Sequence, residues 1–244
     1  MDFAPSSPDA VMPDPQPVPA PLPLPDSEPP RDCPLCPRLV AAREELRAEF
    51  PHWWNAPVPA FGDPEAWLGI VGLAPAKHGA NRTGRVFTGD SNGSVLYDAL
   101  AAIGMATGTY ANTPPDDVTL HGAILIDAVR CMPPQGKPTP EELRTCRPFL
   151  ETQADAVPSA RVWIALGPVA HQSAVKMLGG RLPKARFAHG AEHRMPDGRV
   201  LIDSHACSRH NLTTGVLTAE MFAAVFARAM ELREGSAVPS SPSS

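Results

Sequence analysis

No stretch of this 244-residue sequence stays apolar over the roughly 18 to 20 residues that a membrane span needs, so nothing in it reads as a transmembrane helix. The N-terminus, MDFAPSSPDAVMPDP, has neither the basic n-region nor the apolar h-region of a secretory signal, and the cytoplasm is the expected compartment. Lysine and arginine are missing altogether from the first 30 positions. Those positions hold 11 of the 31 prolines and five acids: Asp2, Asp9, Asp14, Asp26 and Glu28. Such a stretch buries too little apolar surface to offset the entropy of ordering. Residues 1–30 are therefore expected to be a disordered or polyproline II tail and a candidate segment for a protein partner. Residues 235–244, GSAVPSSPSS, read the same way.

What remains, residues 31–234, has the length of one ordinary domain, expected to act as a monomer. The whole chain carries −5, and the five acids of the first 30 residues account for all of it. Within the neutral body, residues 171–211 concentrate Lys176, Arg181, Lys184, Arg186, Arg194, Arg199 and Arg209 against Glu192, Asp197 and Asp203. A locally basic face is what a phosphate backbone needs; a solvated surface that happens to be basic is the competing reading. Four short apolar runs, Leu68–Ala74, Ala123–Val129, Val162–Gly167 and Val200–Ser204, predict buried parallel strands. Helix-like segments alternate with them at Ser94–Ile103, Pro140–Gln153, Pro168–Leu178 and Thr218–Arg233. Thr139 is placed to cap the second of these, with Pro140 at the first helical position and Glu142 closing a capping box. Met105–Thr119, rich in Thr, Pro and Asp, predicts an extended loop. The pattern predicts an α/β fold, a three-layer α/β/α sandwich around a mostly parallel four-stranded sheet, with ligands at the carboxyl ends of the strands.

Nucleotide phosphate loops are also absent: no G-x-G-x-x-G and no G-x-x-x-x-G-K-[ST] follows the first strand. That strand leads instead into Gly72-Leu-Ala-Pro-Ala-Lys-His-Gly-Ala-Asn-Arg-Thr-Gly-Arg-Val-Phe-Thr-Gly-Asp90. Glycines here let backbone approach a ligand closely, Phe87 suits stacking on a flat base, and Asp90 suits orienting a water. Taken alone, Phe87 reads as a core residue before it reads as a stacking platform. There are five cysteines. Cys33 and Cys36 form a C-x2-C pair, and Cys131 and Cys146 flank the capped helix. Two such pairs argue for metal rather than disulfides, and the thiolates suit either zinc or a 4Fe-4S cube. Cys207 is left over and reads as an ordinary buried thiol or as a neighbour of His205.

The run from Gly72 to Asp90 resembles the first active-site motif of the family 5 uracil-DNA glycosylases. Trp54 and Pro57–Asp63 resemble that family's lead-in, and Arg130–Phe149 resembles its second cluster-ligand segment. The resemblance covers about Arg31 to Arg233. It implies a DNA-repair enzyme hydrolysing the N-glycosidic bond of uracil in double-stranded DNA after base flipping, with other deaminated bases as further candidates. It implies a 4Fe-4S cluster on Cys33, Cys36, Cys131 and Cys146. It also implies catalytic roles for Asp90 and His205, and a base pocket of Gly72, Leu73, Ala74 and Phe87. Arg82, Arg85, Arg209, His210, Asn211 and Thr214 are the implied DNA contacts, with Gly215 completing the motif of Asn211 and Thr214.

This chain departs from the family pattern at two places. The last motif reads His205-Ala-Cys-Ser-Arg-His-Asn211, one residue longer than the family's usual spacing and without its proline. After the third cysteine, Gln135-Gly136 stands where many members carry Asn, which makes Gln135 the candidate amide for reading the base edge. A satisfied histidine at a strand end is the plain reading of His205. The alternative function is a DNA-binding iron–sulfur protein of the same fold with weakened or redirected catalysis.

Overall fold

The computed structural model describes residues 28–235; of the expected tails, 1–30 and 235–244, all but residues 28–30 and 235 lie outside the described residues. In chain order the first elements are α1 (Pro37–Glu49), β1 (Phe61–Gly62), β2 (Leu68–Gly72), α2 (Ala80–Thr83) and α3 (Ser91–Ala102). Then come β3 (Ala106–Thr107), β4 (Thr119–Leu120), β5 (Ala123–Asp127), α4 (Pro140–Ala156), β6 (Val162–Leu166) and α5 (Pro168–Met177). The chain continues through β7 (Glu192–Arg194), β8 (Val200–Ser204), α6 (Arg209–Thr213) and α7 (Ala219–Gly235).

Strands covered on both faces have no polar side to show, so they read as unbroken apolar runs. That is the case for β2, β5, β6 and β8, in which every residue is buried. They pair in parallel in the order β5-β2-β6-β8. The sheet has six strands rather than the expected four, because β1 adds antiparallel to β5 and β7 adds antiparallel to β8. These edge strands hold two and three residues, too short for a periodic signal. Successive side chains of a strand point to opposite faces, and two cores follow. Leu68, Ile70, Leu125, Ile164 and Ile202 pack against Leu96 and Leu100 of α3 and Phe222 and Phe226 of α7. Val71, Ile126, Trp163 and Leu201 pack against Leu150 and Ala154 of α4 and Ala170 and Ala174 of α5. The three-layer α/β/α sandwich is the result.

The capping box at α4 forms as expected: the Glu142 backbone N–H donates to Thr139 Oγ1, and the Thr139 N–H donates to the Glu142 carboxylate. The segment expected as a loop, Met105–Thr119, carries instead a small antiparallel pair, β3 with β4. The ordered body also reaches back past Arg31. The Glu28 carboxylate accepts from the Ala60 N–H at 2.8 Å and lies 2.6 Å from the buried Arg130 guanidinium. Among the described residues no helix is long and apolar enough to cross a membrane.

Candidate active site

The carboxyl ends of the parallel strands define the site. Gly72 at the end of β2 lies in register with Asp127 at the end of β5, and Leu166 of β6 with Ser204 of β8. A cavity of about 210 Å³ opens there, lined by Gly72–Ala76, Phe87, Asp90, Asp127 and Ala206–Ser208. It is smaller than the roughly 300–1,000 Å³ of sites for drug-sized ligands, a scale that suits one flat ring. Gly72 is what lets its walls converge. A Cβ there would stand 2.3 Å from Asp127 Oδ1 and 2.7 Å from Phe87 Cζ. Asp127 is 4% exposed. Its burial raises the carboxyl to about 7, with Arg130 acting against the shift and Asp90 adding to it.

The run from Gly79 to Asp90 is stapled to itself. Thr83 Oγ1 donates to the Thr88 carbonyl at 2.9 Å, and Arg85 Nε donates to Thr88 Oγ1 at 2.9 Å. Asn81 Nδ2 donates to Asn55 Oδ1, whose own amide donates to the Phe50 carbonyl at the end of α1. This bracing holds Phe87 at φ 51, a left-handed conformation rare outside glycine. Tyr110 donates to the Phe87 carbonyl at 3.1 Å and fixes that peptide. Asp90 folds back over Gly79, where a Cβ would come within 2.7 Å of its carboxylate.

Four cysteines meet at a second place. Cys33 and Cys36 precede α1, Cys131 follows β5 and Cys146 sits on α4, and all four line one small cavity with Leu35, Leu39 and Phe149. The Arg130 backbone N–H donates to Cys146 Sγ at 3.4 Å. Burial first, and the neighbouring Cys146 second, push the Cys36 thiol to about 11 and the Cys131 thiol to about 12. An apolar nest of four thiols with an N–H aimed at sulfur fits a cationic metal group, whose charge reverses that preference for the neutral thiol. Among the described residues, the one group of metal-capable side chains with all donor atoms within 4.8 Å is His171, His193 and Asp203. There Asp203 Oδ1 faces His171 Nδ1 at 2.6 Å, and Oδ2 faces His193 Nε2 at 2.9 Å and the Ala188 N–H at 3.2 Å. That carboxylate has its hydrogen-bond partners already.

A family model for the uracil DNA glycosylase superfamily matches residues 59–229, from the lead-in to β1 through most of α7. The chain belongs to the uracil DNA glycosylase superfamily. Curated relatives extend the likeness. A Type-5 uracil-DNA glycosylase of Thermus thermophilus is 46% identical over 207 residues, covering 82% of this chain and 93% of the relative. One from Pyrobaculum aerophilum is 39% identical over 202 residues, covering 81% and 88%. A third, from Mycobacterium tuberculosis, is 39% identical over 209 residues, covering 82% and 78%.

Within this family frame, Gly72, Leu73, Ala74, Phe87 and Asp90 come together in the strand-end cavity as the motif implies. His205 sits at its border: Ala206 and Cys207 line the cavity, and the His205 ring stacks on His189. Cys207 is 2% exposed, and burial pushes its thiol to about 12, which makes it an ordinary wall thiol. Arg209, His210 and Thr214 are exposed on or beside α6, and Asn211 Nδ2 donates to the Ala206 carbonyl at 2.9 Å. Arg82 spends its guanidinium on the carbonyls of His78 and Gly89. One expectation fails on geometry. Arg85 is not a DNA contact: it is 5% exposed, and both its terminal nitrogens bind the Asp116 carboxylate at 2.6 Å. Gln135 is exposed, at φ 59, in the single turn Pro134–Gly136, outside the cavity lining. The residue that sequence reasoning missed is Asp127. Its signal was available as the one acid ending an otherwise apolar strand, AILID.

Proposed function

We propose that the chain removes uracil from double-stranded DNA by hydrolysing the bond between the base and deoxyribose, as a DNA-repair glycosylase. The observation that carries the reading is the convergence of Phe87, Asp90, Asp127 and the Gly72–Pro75 backbone in one ring-sized cavity, on a chain of this superfamily. The relatives' shared name favours the enzyme over a binding protein of the same fold.

The chemistry follows from the geometry. The glycosidic carbon is shielded in the duplex, so the nucleotide is flipped into the cavity, where Phe87 stacks on the base. The C–N bond breaks with its electron pair leaving on uracil, and the sugar becomes cation-like. Asp127, held neutral by burial up to about pH 7, donates a hydrogen bond to a base carbonyl as negative charge develops there. His205 donates to the departing base from the border of the cavity. Asp90 orients a water, whose oxygen bonds to the sugar carbon while the proton it loses passes to the departing uracil anion. Arg209, His210, Asn211 and Thr214 face the DNA backbone from α6 and the turn after it. Other deaminated bases with a carbonyl at the same edge are further substrates of this proposal.

Cys33, Cys36, Cys131 and Cys146 are the proposed holders of a 4Fe-4S cluster. Four thiolates suit either tetrahedral zinc or a 4Fe-4S cube by count. The likeness of Arg130–Phe149 to the second cluster-ligand segment of the family, on a chain similar to Type-5 uracil-DNA glycosylases, supports the cube over zinc. When bound, the cluster supplies a structural clamp that ties the segment before α1 to β5 and α4. Unpaired cysteines gathered for metal fit a reducing compartment such as the cytoplasm. The function is tested with a labelled duplex carrying one uracil, incubated with the protein and then treated with alkali. Scission at the uracil, with a thymine duplex left intact, is the expected result. An intact strand with retained duplex binding contradicts it.

A further inference from the structure

The loop between α5 and β7 does more than connect them. Its middle is tied to β8 from both sides of one residue, His189. Ahead of it, the Ala188 N–H donates to Asp203 Oδ2 at 3.2 Å; behind it, the Gly190 N–H donates to the Asp203 carbonyl at 2.8 Å. The Asp203 N–H returns to the Ala191 carbonyl at 2.9 Å, and His193 closes on the same carboxylate at 2.9 Å. Gly190 at φ 77 makes the turn that this double attachment requires. Asp203 is fully buried, so the loop hangs on an anchor that water does not reach.

His189 uses this fixed position to hold His205. Its Nδ1 accepts the His205 backbone N–H at 3.1 Å, and the two rings stack at 5.0 Å with an 8° interplanar angle. Phe187, from the same loop, also lies against the His205 ring, at 5.9 Å and 60°. On its far side the His205 carbonyl accepts from Ser204 Oγ at 2.9 Å. Ala206 follows His205, so no proline restricts the His205 backbone; its restraint comes from these neighbours. Because Nδ1 of His189 must accept, the ring is neutral with its proton on Nε2. Burial first, and the nearby His205 second, lower its proton affinity, which keeps Nδ1 an acceptor.

We propose that His189 is a positioning residue for the glycosylase reaction, fixing the backbone and ring orientation of His205 through the Asp203-anchored loop. The inference rests on the reading of His205 as a donor to the leaving base. Misplacing such a donor by an ångström costs rate rather than substrate binding.

The test is a double-mutant cycle on the full chain, read by single-turnover cleavage of a uracil duplex beside duplex affinity and thermal midpoint. His189→Ala is expected to slow cleavage by about tenfold and to leave duplex affinity within about twofold. His189→Asn, whose Oδ1 reproduces the acceptor, is expected within about threefold of wild type. His189→Phe, which keeps the stack without the acceptor, should be as slow as His189→Ala and covers the case of an unfolded alanine variant. In a His205→Ala background, His189→Ala should add no more than about twofold. Multiplying effects in that cycle, or a wild-type rate in both His189→Ala and His189→Phe, overturn the inference while the role of His205 stands. An unchanged rate in His205→Ala overturns that role, and this inference with it.

Discussion

Replacing Asp127 with asparagine should flatten the alkaline limb of the cleavage profile. The Asp127 carboxyl is 4% exposed at the end of β5, and burial raises it from 3.8 to about 7. A neutral carboxyl in the cavity donates to the base; an ionised one repels the negative charge growing on it. If the protonated form is the active one, its share falls from about one half at pH 7 to about one hundredth at pH 9. Single-turnover cleavage by the wild type should then drop roughly 50-fold over that span. The Asp127→Asn variant, whose amide is neutral at every pH, should vary by no more than about threefold. Stability carries the same signature. Between the ordinary carboxyl value and about 7, the unfolded chain has lost the Asp127 proton that the folded chain keeps. Wild-type stability therefore falls as pH rises through that window, and Asp127→Asn gains on it by at most about 4 kcal/mol. Chemical denaturation at pH 4 and at pH 8 measures this directly. Parallel pH–rate profiles for the two proteins would refute the assigned role.

Gly72→Ala places a Cβ 2.3 Å from Asp127 Oδ1 and 2.7 Å from Phe87 Cζ, and is expected to reduce cleavage by at least about a hundredfold, as judged by single-turnover rates at matched duplex occupancy. Arg85→Ala leaves Asp116 buried without its cation and should cost about 3–5 kcal/mol in denaturant unfolding, with duplex affinity of the folded protein unchanged. Arg209→Ala, at the exposed start of α6, should weaken duplex binding and lower the salt slope of binding by about one. Cys131→Ser should abolish the broad absorption near 400 nm expected of a 4Fe-4S protein and lower the thermal midpoint; a colourless wild type holding stoichiometric zinc contradicts the cluster.

The parallel strands were legible because burial on both faces leaves apolar runs with nothing polar to interrupt them, as in VWIAL of β6. The α4 start was legible because Thr139, Pro140 and Glu142 form a local device independent of the rest of the fold. The edge strands β1 and β7 were not, since two or three residues pair by proximity rather than by pattern. In the site, the long Gly72–Asp90 run marked the cavity, yet its spacing could not say which side chains face inward. Arg85 looked like a phosphate contact until Asp116, 31 residues away, took its guanidinium. Asp127 escaped notice because an acid at a strand end is commonplace until Gly72 and Phe87 close around it. His189 escaped for the same reason: its partner, His205, is 16 residues on and meets it only across the edge of the sheet.

The measurement that bears most directly on the account is single-turnover cleavage of a one-uracil duplex by wild type and by Asp90→Ala, with the released base identified. The expected result is free uracil and an alkali-labile strand from the wild type, at a rate at least about tenfold above that of Asp90→Ala. Equal rates in the two proteins, or tight duplex binding with no uracil released by either, would contradict it.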